Sequence, residues 1–201
     1  MKTHYLTSSI MVVVVLLAGC QSAMNKNQYV LQVSPPQTAK VSQPPGIILE
    51  VRAFTIDSEF SGRQMVYRID EFRYAPNYYN EFLIPPAIMI GEATRNWLAD
   101  TETFARVAEP GSGMMPTYIL NGSISACYAD IREKAAPAAV LELKMFLTKQ
   151  DKAVETLLWS HSYKMREPMK DTQAQSFAAA MSRCVQNVLQ KLQADLAEHT
   201  R

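Results

Sequence analysis

Cysteine and histidine are the first residues to inspect for chemistry, and this chain has three of each. Cys20 is the one whose setting prescribes a reaction. It follows Leu17-Ala18-Gly19 at the end of an unbroken apolar run from Ile10 to Ala18, and Lys2 supplies a positive start. That run is too short to span a bilayer but has the length of a signal-peptide core. Cys127 and Cys184 form an even pair that an oxidising compartment would allow to bridge. Cys184 falls on the apolar face of an expected helix, whereas Cys127 alternates against the apolar face of its strand, so two buried free thiols are the competing reading. His4 lies in the signal, His199 in the C-terminal tail, and His161 stands alone in a strand. Metal binding or general-base work needs convergent partners, and no Cys or His pair has zinc-ligand spacing. There is no Gly-x-Ser-x-Gly elbow, P-loop or Gly-x-Gly-x-x-Gly. Gly111-Ser112-Gly113 lacks the lysine and the strand-to-helix setting of a phosphate loop. Asp70 and Glu71 are adjacent in an expected strand, point to opposite faces and cannot form an acid–base pair. The expectation is a protein that is not an enzyme and uses neither metal nor cofactor.

The segment Leu17-Ala18-Gly19-Cys20 resembles a bacterial lipobox. The resemblance implies diacylglycerol on the Cys20 sulfur, cleavage that leaves Cys20 as the first mature residue, and acylation of its new amino group. Two or three acyl chains anchor firmly, because each buried methylene contributes about 0.8 kcal/mol and a single chain is marginal. An ordinary secretory peptide is the alternative. Bacterial sorting habits attach inner-membrane retention to Asp at the second mature position, and here that residue is Gln21. The resemblance therefore implies an outer-membrane anchor facing the periplasm.

Residues 1–19 read as the removed signal, 20–45 as lipidated cysteine, polar tether, short strand and Pro-rich loop, and 46–201 as one domain with a real core. Losing Lys2 leaves 19 Lys+Arg against 19 Asp+Glu, so the mature chain is near neutral. A nucleic-acid binder would need a basic face, so that class is excluded, as is strong electrostatic steering. No later stretch is long and apolar enough to cross a membrane as a helix.

The elements follow from periodicity. Strands are expected at residues 29–33, 47–54 and 64–74, the last with a bulge near Asp70-Glu71. Pro85-Pro86 opens a helix with a buried stripe of Ala87, Ile90, Ala93 and Trp97. A short strand is expected at 104–107. Three longer ones follow: 117–131 with Leu120, Ile124, Ala126 and Tyr128 on one side; 140–148 with Leu141, Leu143, Met145 and Leu147 inward; and 154–165 with Leu157, Trp159, His161, Tyr163 and Met165 on one face. The last two form a hairpin. Asp171 or Thr172 can cap a final helix carrying Phe177, Met181, Val185, Val188, Leu192 and Leu196. Clustered strands with two helices predict a single α+β domain, a mixed or antiparallel sheet with both main helices on one face.

The stretch from Arg73 to Pro86 has the most unusual composition, with Tyr74, Asn77-Tyr78-Tyr79-Asn80 and Phe82 closed by Pro85-Pro86. Tyrosine is enriched at protein interfaces, which makes Tyr78, Tyr79, Asn80 and Phe82 candidate partner-binding residues. The alternative is that these aromatics pack the loop between strand and helix.

Taken in order, the lipobox, Tyr29-Val30-Leu31, Gln64-Met65-Val66-Tyr67-Arg68, Tyr79-Asn80-Glu81-Phe82 before Pro85-Pro86, Arg95-Asn96-Trp97-Leu98, Phe104-Ala105-Arg106-Val107 and a long C-terminal helix resemble the ABC-type transport auxiliary lipoprotein family, which includes the lipoprotein of the Pqi system. Many members carry a tryptophan just before the first helix, where Phe82 sits here. The resemblance implies a non-enzymatic partner of an envelope lipid-transport machine, in which an inner-membrane ABC transporter works with MCE-type proteins that form a hydrophobic conduit. The lipoprotein would sit at the outer membrane and bind the far end of that conduit. A carrier holding a lipid ligand between helices and sheet, and an assembly lipoprotein for outer-membrane components, are the alternatives.

Overall fold

A computed structural model of the chain describes residues 25–35, 46–152 and 154–200. Cys20, the signal and most of the Pro-rich loop lie outside these residues. The strands are β1 (Asn27–Tyr29), β2 (Ile48–Val51), β3 (Thr55–Ile56), β4 (Gln64–Arg68), β5 (Tyr74–Phe82), β6 (Arg106–Ala108), β7 (Tyr118–Asp130), β8 (Ala138–Asp151) and β9 (Val154–Pro168); the helices are α1 (Pro86–Asp100) and α2 (Ala174–His199). A single 3-10 turn, Ser58–Phe60, separates β3 from β4.

All nine strands join one mixed sheet, and β7 is its spine. On one side β7 pairs antiparallel with β8, which pairs antiparallel with β9. On its other side β2, β3 and β4 pair with it in succession, all parallel, at Leu49↔Tyr118, Thr55↔Ser123 and Tyr67↔Ala129. The β4 strand continues antiparallel to β5, and β5 carries β1 as a parallel edge. β6 lies parallel to β2 at the opposite flank.

Both helices cover one sheet face, as the periodicity predicts. Pro86 takes the first turn of α1, where its missing N–H costs no hydrogen bond, and Ala87, Ile90 and Trp97 are buried. The stripe of α2, from Phe177 through Met181, Val185, Val188 and Leu192 to Leu196, is fully buried. Each such side chain contributes about 1.5–3 kcal/mol by leaving water, so this helix is held by its packing. Two polar bonds fix its roll: the Trp97 indole donates to Gln193 Oε1 at 3.1 Å, and the Tyr163 hydroxyl donates to Asp195. The N-cap of α2 is Gln173, with no side-chain cap bond, and not Asp171 or Thr172 as expected; Asp171 accepts the Gln173 N–H at 3.0 Å in the turn before the helix.

Three expectations about the strands are also corrected. The expected strand 64–74 is a hairpin, not one strand with a bulge. Asp70 Oδ1 accepts the N–H groups of Phe72 and Arg73 at 3.0 and 2.8 Å and turns the chain back at once. In β7 the register shifts between Ile124 and Ala126. One extra residue flips everything after it to the other face, so Cys127 and Ala129 continue the core begun by Leu120 and Ile124, while Tyr128 is half-buried and stacks on Phe60 at 5.9 Å. A second shift, between Leu147 and Thr148, moves Leu157 off the face shared by Trp159 and Tyr163 and leaves it exposed.

Candidate functional site

The segment expected as an aromatic loop is the second half of β5, and it is built as a protrusion. Val66 pairs with Pro76 and Gln64 pairs with Glu81, so β5 spends five residue steps where β4 spends two. Pro76 has no N–H to donate, which suits it to the edge of such a break. Asn77 then holds the excess: its Oδ1 accepts the backbone N–H groups of Tyr79 and Asn80, both at 3.0 Å, and the Asn80 amide at 3.1 Å. Asn80 Oδ1 in turn accepts from Asn27 Nδ2 at 3.1 Å and from the Tyr29 hydroxyl at 3.3 Å, which ties the protrusion to β1.

Tyr78 and Tyr79 stand out from this clamp, 61% and 59% exposed, with their rings edge-to-face at 5.4 Å. The Lys26 ammonium lies 5.6 Å from the Tyr78 ring centroid, within cation–π range. Beneath them Glu81 is buried, accepts from Gln28 Nε2 at 3.2 Å and meets Lys26 and Arg63 at 3.3 and 3.0 Å. The Gln28 hydrogen bond, with Lys26 and the Arg63 charge, holds this carboxyl below the usual carboxylate range. Phe82 is a correction: it is 1% exposed and packs on Phe177 at 5.9 Å, so it belongs to the core and not to the surface of the two tyrosines. Strict alternation would place Phe82 on the face of Tyr78; the irregular pairing between Val66↔Pro76 and Gln64↔Glu81 breaks that alternation and turns Phe82 inward.

The arrangement can grip but offers no reactive group. Cys127 and Cys184 are free, buried thiols on facing sides of the helix–sheet interface, and burial pushes each up to about 12. Cys184 Sγ contacts the Ala139 carbonyl at 3.6 Å. His161 is exposed and sits in an aromatic ladder, stacked on Trp159 at 6.0 Å and tilted on Tyr163 at 4.7 Å. Among the described residues, no three His, Cys, Asp or Glu side chains are grouped so as to hold a metal, and no helix is long and apolar enough to cross a membrane. Two open cavities border α2 and the 133–138 loop, at about 450 and 590 Å³. Gln28, Gln32, Ser182 and Arg183 help line the first, and Lys134 and Arg166 the second. Tyr29, Val30, Ala178 and Ala179 also line the first, and Pro137, Pro168 and Met169 are among the apolar residues of the second, so both walls are mixed.

Comparison with known proteins adds the following. A family model described as "ABC-type transport auxiliary lipoprotein component" matches residues 29–193. No curated protein matches the chain. Among solved structures, protein XCC0632 from Xanthomonas campestris, of family DUF330, is similar with a TM-score of 0.70 at 17% identity, covering 84% of this chain and 91% of that one. An uncharacterised protein gives 0.64 at 14% identity over 88% and 99%. The hypothetical protein CT253 from Chlamydia trachomatis gives 0.54 at 7% identity over 76% and 96%. At these identities the likeness is one of fold.

Proposed function

Since this chain belongs to the family of ABC-type transport auxiliary lipoprotein components, we propose that it is the outer-membrane-anchored, periplasm-facing member of an envelope lipid-transport system and docks an MCE-type component of that system. In this reading Cys20 carries the lipid, residues 20–45 tether, and residues 46–201 with β1 form the docking domain. Tyr78 and Tyr79 make the contact, and Asn80 acts from behind by holding their loop.

One observation carries the docking role. The two tyrosines are kept exposed by a clamp of asparagine hydrogen bonds, while Phe82, three residues further along the same strand, is buried. A rigid pair of exposed aromatics loses little side-chain freedom on binding and suits an interface. The position also fits an anchored protein, because β1, which braces the protrusion, begins seven residues after Cys20. The cavities beside α2 and the 133–138 loop are open to solvent and mixed in lining, whereas a lipid carrier needs an enclosed, mainly apolar one.

The test is a crosslinked pull-down of the lipidated protein from native envelopes, with mass spectrometry of what it brings down, run beside a Tyr78→Ala, Tyr79→Ala double variant. Recovery of MCE-type and ABC subunits by the wild type, and their loss from a variant with unchanged thermal stability, is the expected result. Recovery of β-barrel or peptidoglycan-linked proteins alone would overturn the transport assignment. Unchanged recovery by the variant would move the contact elsewhere.

A further inference from the structure

Among the described residues, the most exposed large apolar side chain is Phe72, 89% open at the tip of the β4–β5 hairpin. The tip is not slack. Asp70 accepts the Phe72 and Arg73 N–H groups, its carboxylate pairs with Arg73 at 3.2 Å, and Arg68 Nη2 donates to the Glu71 carbonyl at 3.0 Å. The Ile69 N–H closes the hairpin on the Arg73 carbonyl at 2.9 Å. A rigid turn thus presents a lone aromatic ring to solvent, flanked by Arg68, Arg73 and the acidic Asp70 and Glu71. A single exposed ring is ordinary by itself; what singles this one out is the rigid turn that holds it and the side of the domain on which it lies.

The direction of the tether says what covers it. β1 pairs parallel with β5, with Asn27 opposite Asn80. The chain before Asn27 therefore leaves toward the start of β5, the side on which the 69–73 turn lies. Lys26 over Tyr78 marks the first step of that path. From the level of Gln64, which pairs with Glu81, to the level of Arg68, where the hairpin turns, is four residues, or about 13 Å of strand. The six residue steps from Cys20 to Lys26 span at most about 22 Å. A lipid on Cys20 is therefore within reach of a position level with the tip or just past it. The β8–β9 turn, by contrast, lies beyond the other end of β7, about 40 Å of strand away.

We propose that the Phe72 hairpin tip seats against the lipid surface that holds the Cys20 acyl chains, with the Phe72 ring in the headgroup region and Arg68 and Arg73 at phosphate level. Aromatic side chains favour that interface, and cationic ones keep their charge in its polar layer. This rests on the anchoring of Cys20 proposed above, and it gives the tethered domain one orientation: the 69–73 pole toward the membrane and the 149–154 pole away.

The experiment uses the full-length lipidated protein in phosphatidylethanolamine–phosphatidylglycerol vesicles. A fluorophore is attached through Phe72→Cys in one sample and through Val154→Cys, exposed at the far pole, in another; Cys127 and Cys184 are buried and do not compete. Spin-labelled lipid should quench the probe at position 72 several-fold more than the probe at 154. Equal quenching at both positions, or none at 72 in vesicles that carry the protein, overturns the seating while the anchor stands. Failure of the protein to float with the vesicles overturns the anchor, and the seating with it.

Discussion

Asp130 shows how a single residue fastens the pole from which the 69–73 turn projects. It is buried at the end of β7, where Arg132 grips it through Nε at 2.9 Å and Nη2 at 2.8 Å, and Arg166 of β9 reaches it at 2.8 Å. The Arg132 hydrogen bonds, reinforced by Arg166, outweigh burial and hold the carboxyl far below its usual range. Both guanidiniums keep one side in water, so removing the carboxylate charge does not strand a buried cation. Asp130→Asn is therefore expected to cost about 2 kcal/mol at neutral pH, the scale of charge-assisted hydrogen bonds. Because the folded pKa lies below the unfolded value of about 3.9, this contribution is complete above about pH 4 and fades as pH falls further. Urea unfolding of wild type and variant at neutral and acid pH checks this. The gap should narrow only in acid, and a gap constant across the range would mean that shape, not charge, is what Asn fails to supply.

At the scale of elements, β7, α1 and the segment between β2 and β3 meet closely at Phe54. A Cβ on Gly122 would meet the Phe54 ring at 2.8 Å, and one on Gly91 of α1 would meet the same ring at 3.8 Å. Phe54 is thus wedged where β7 carries no side chain. Gly122→Ala is expected to destabilise by about 1–3 kcal/mol through overpacking, read by chemical denaturation. Adding Phe54→Leu should recover part of that loss, because residues in contact are not additive; full additivity would show that the ring is not the obstacle. Neither partner of this joint signals the other along the chain, and that marks what was legible in the sequence. The stripes of α1 and α2 were readable because one helix face repeats at a fixed step and both had a sheet to cover. The faces of β8 were readable for the same reason. The ends of β7 and β9 were not, since one added residue near Ser125 or Leu158 inverts the alternation and no local residue type announces it. Asp70 was read as a bulge because a turn closed by its own carboxylate needs few glycines. Tyr78 and Tyr79 were legible as unusual by composition, but the clamp that exposes them is tied down by Asn80 meeting β1 from more than fifty residues away. Phe82, one residue past the return to regular pairing, went to the core.

In the reading proposed above, the molecule is an anchor and a docking domain joined by very little chain. If Tyr78 and Tyr79 hold the partner and Cys20 holds the membrane, each function should survive alone in vitro and neither should suffice in the cell. The clearest test replaces residues 1–20 with a cleavable secretory leader, so that the exported chain starts at Gln21. Every described contact lies downstream of that point, so Tm should be unchanged. Affinity for a purified partner component, measured in solution, should also be unchanged, because the protrusion is braced by β1 and not by lipid. Transport supported in cells should fall sharply. A short tether confines the domain near the membrane at an effective concentration in the mM range, and losing it can cost about 10²- to 10⁴-fold in avidity with no contact altered. Lost affinity in solution would mean that lipid forms part of the docking surface, which would draw the Tyr78–Tyr79 protrusion into the same membrane contact as Phe72. Full transport by the exported domain would mean that partner affinity alone localises it, and the six residues between Cys20 and β1 would then be a spacer and not a determinant of orientation.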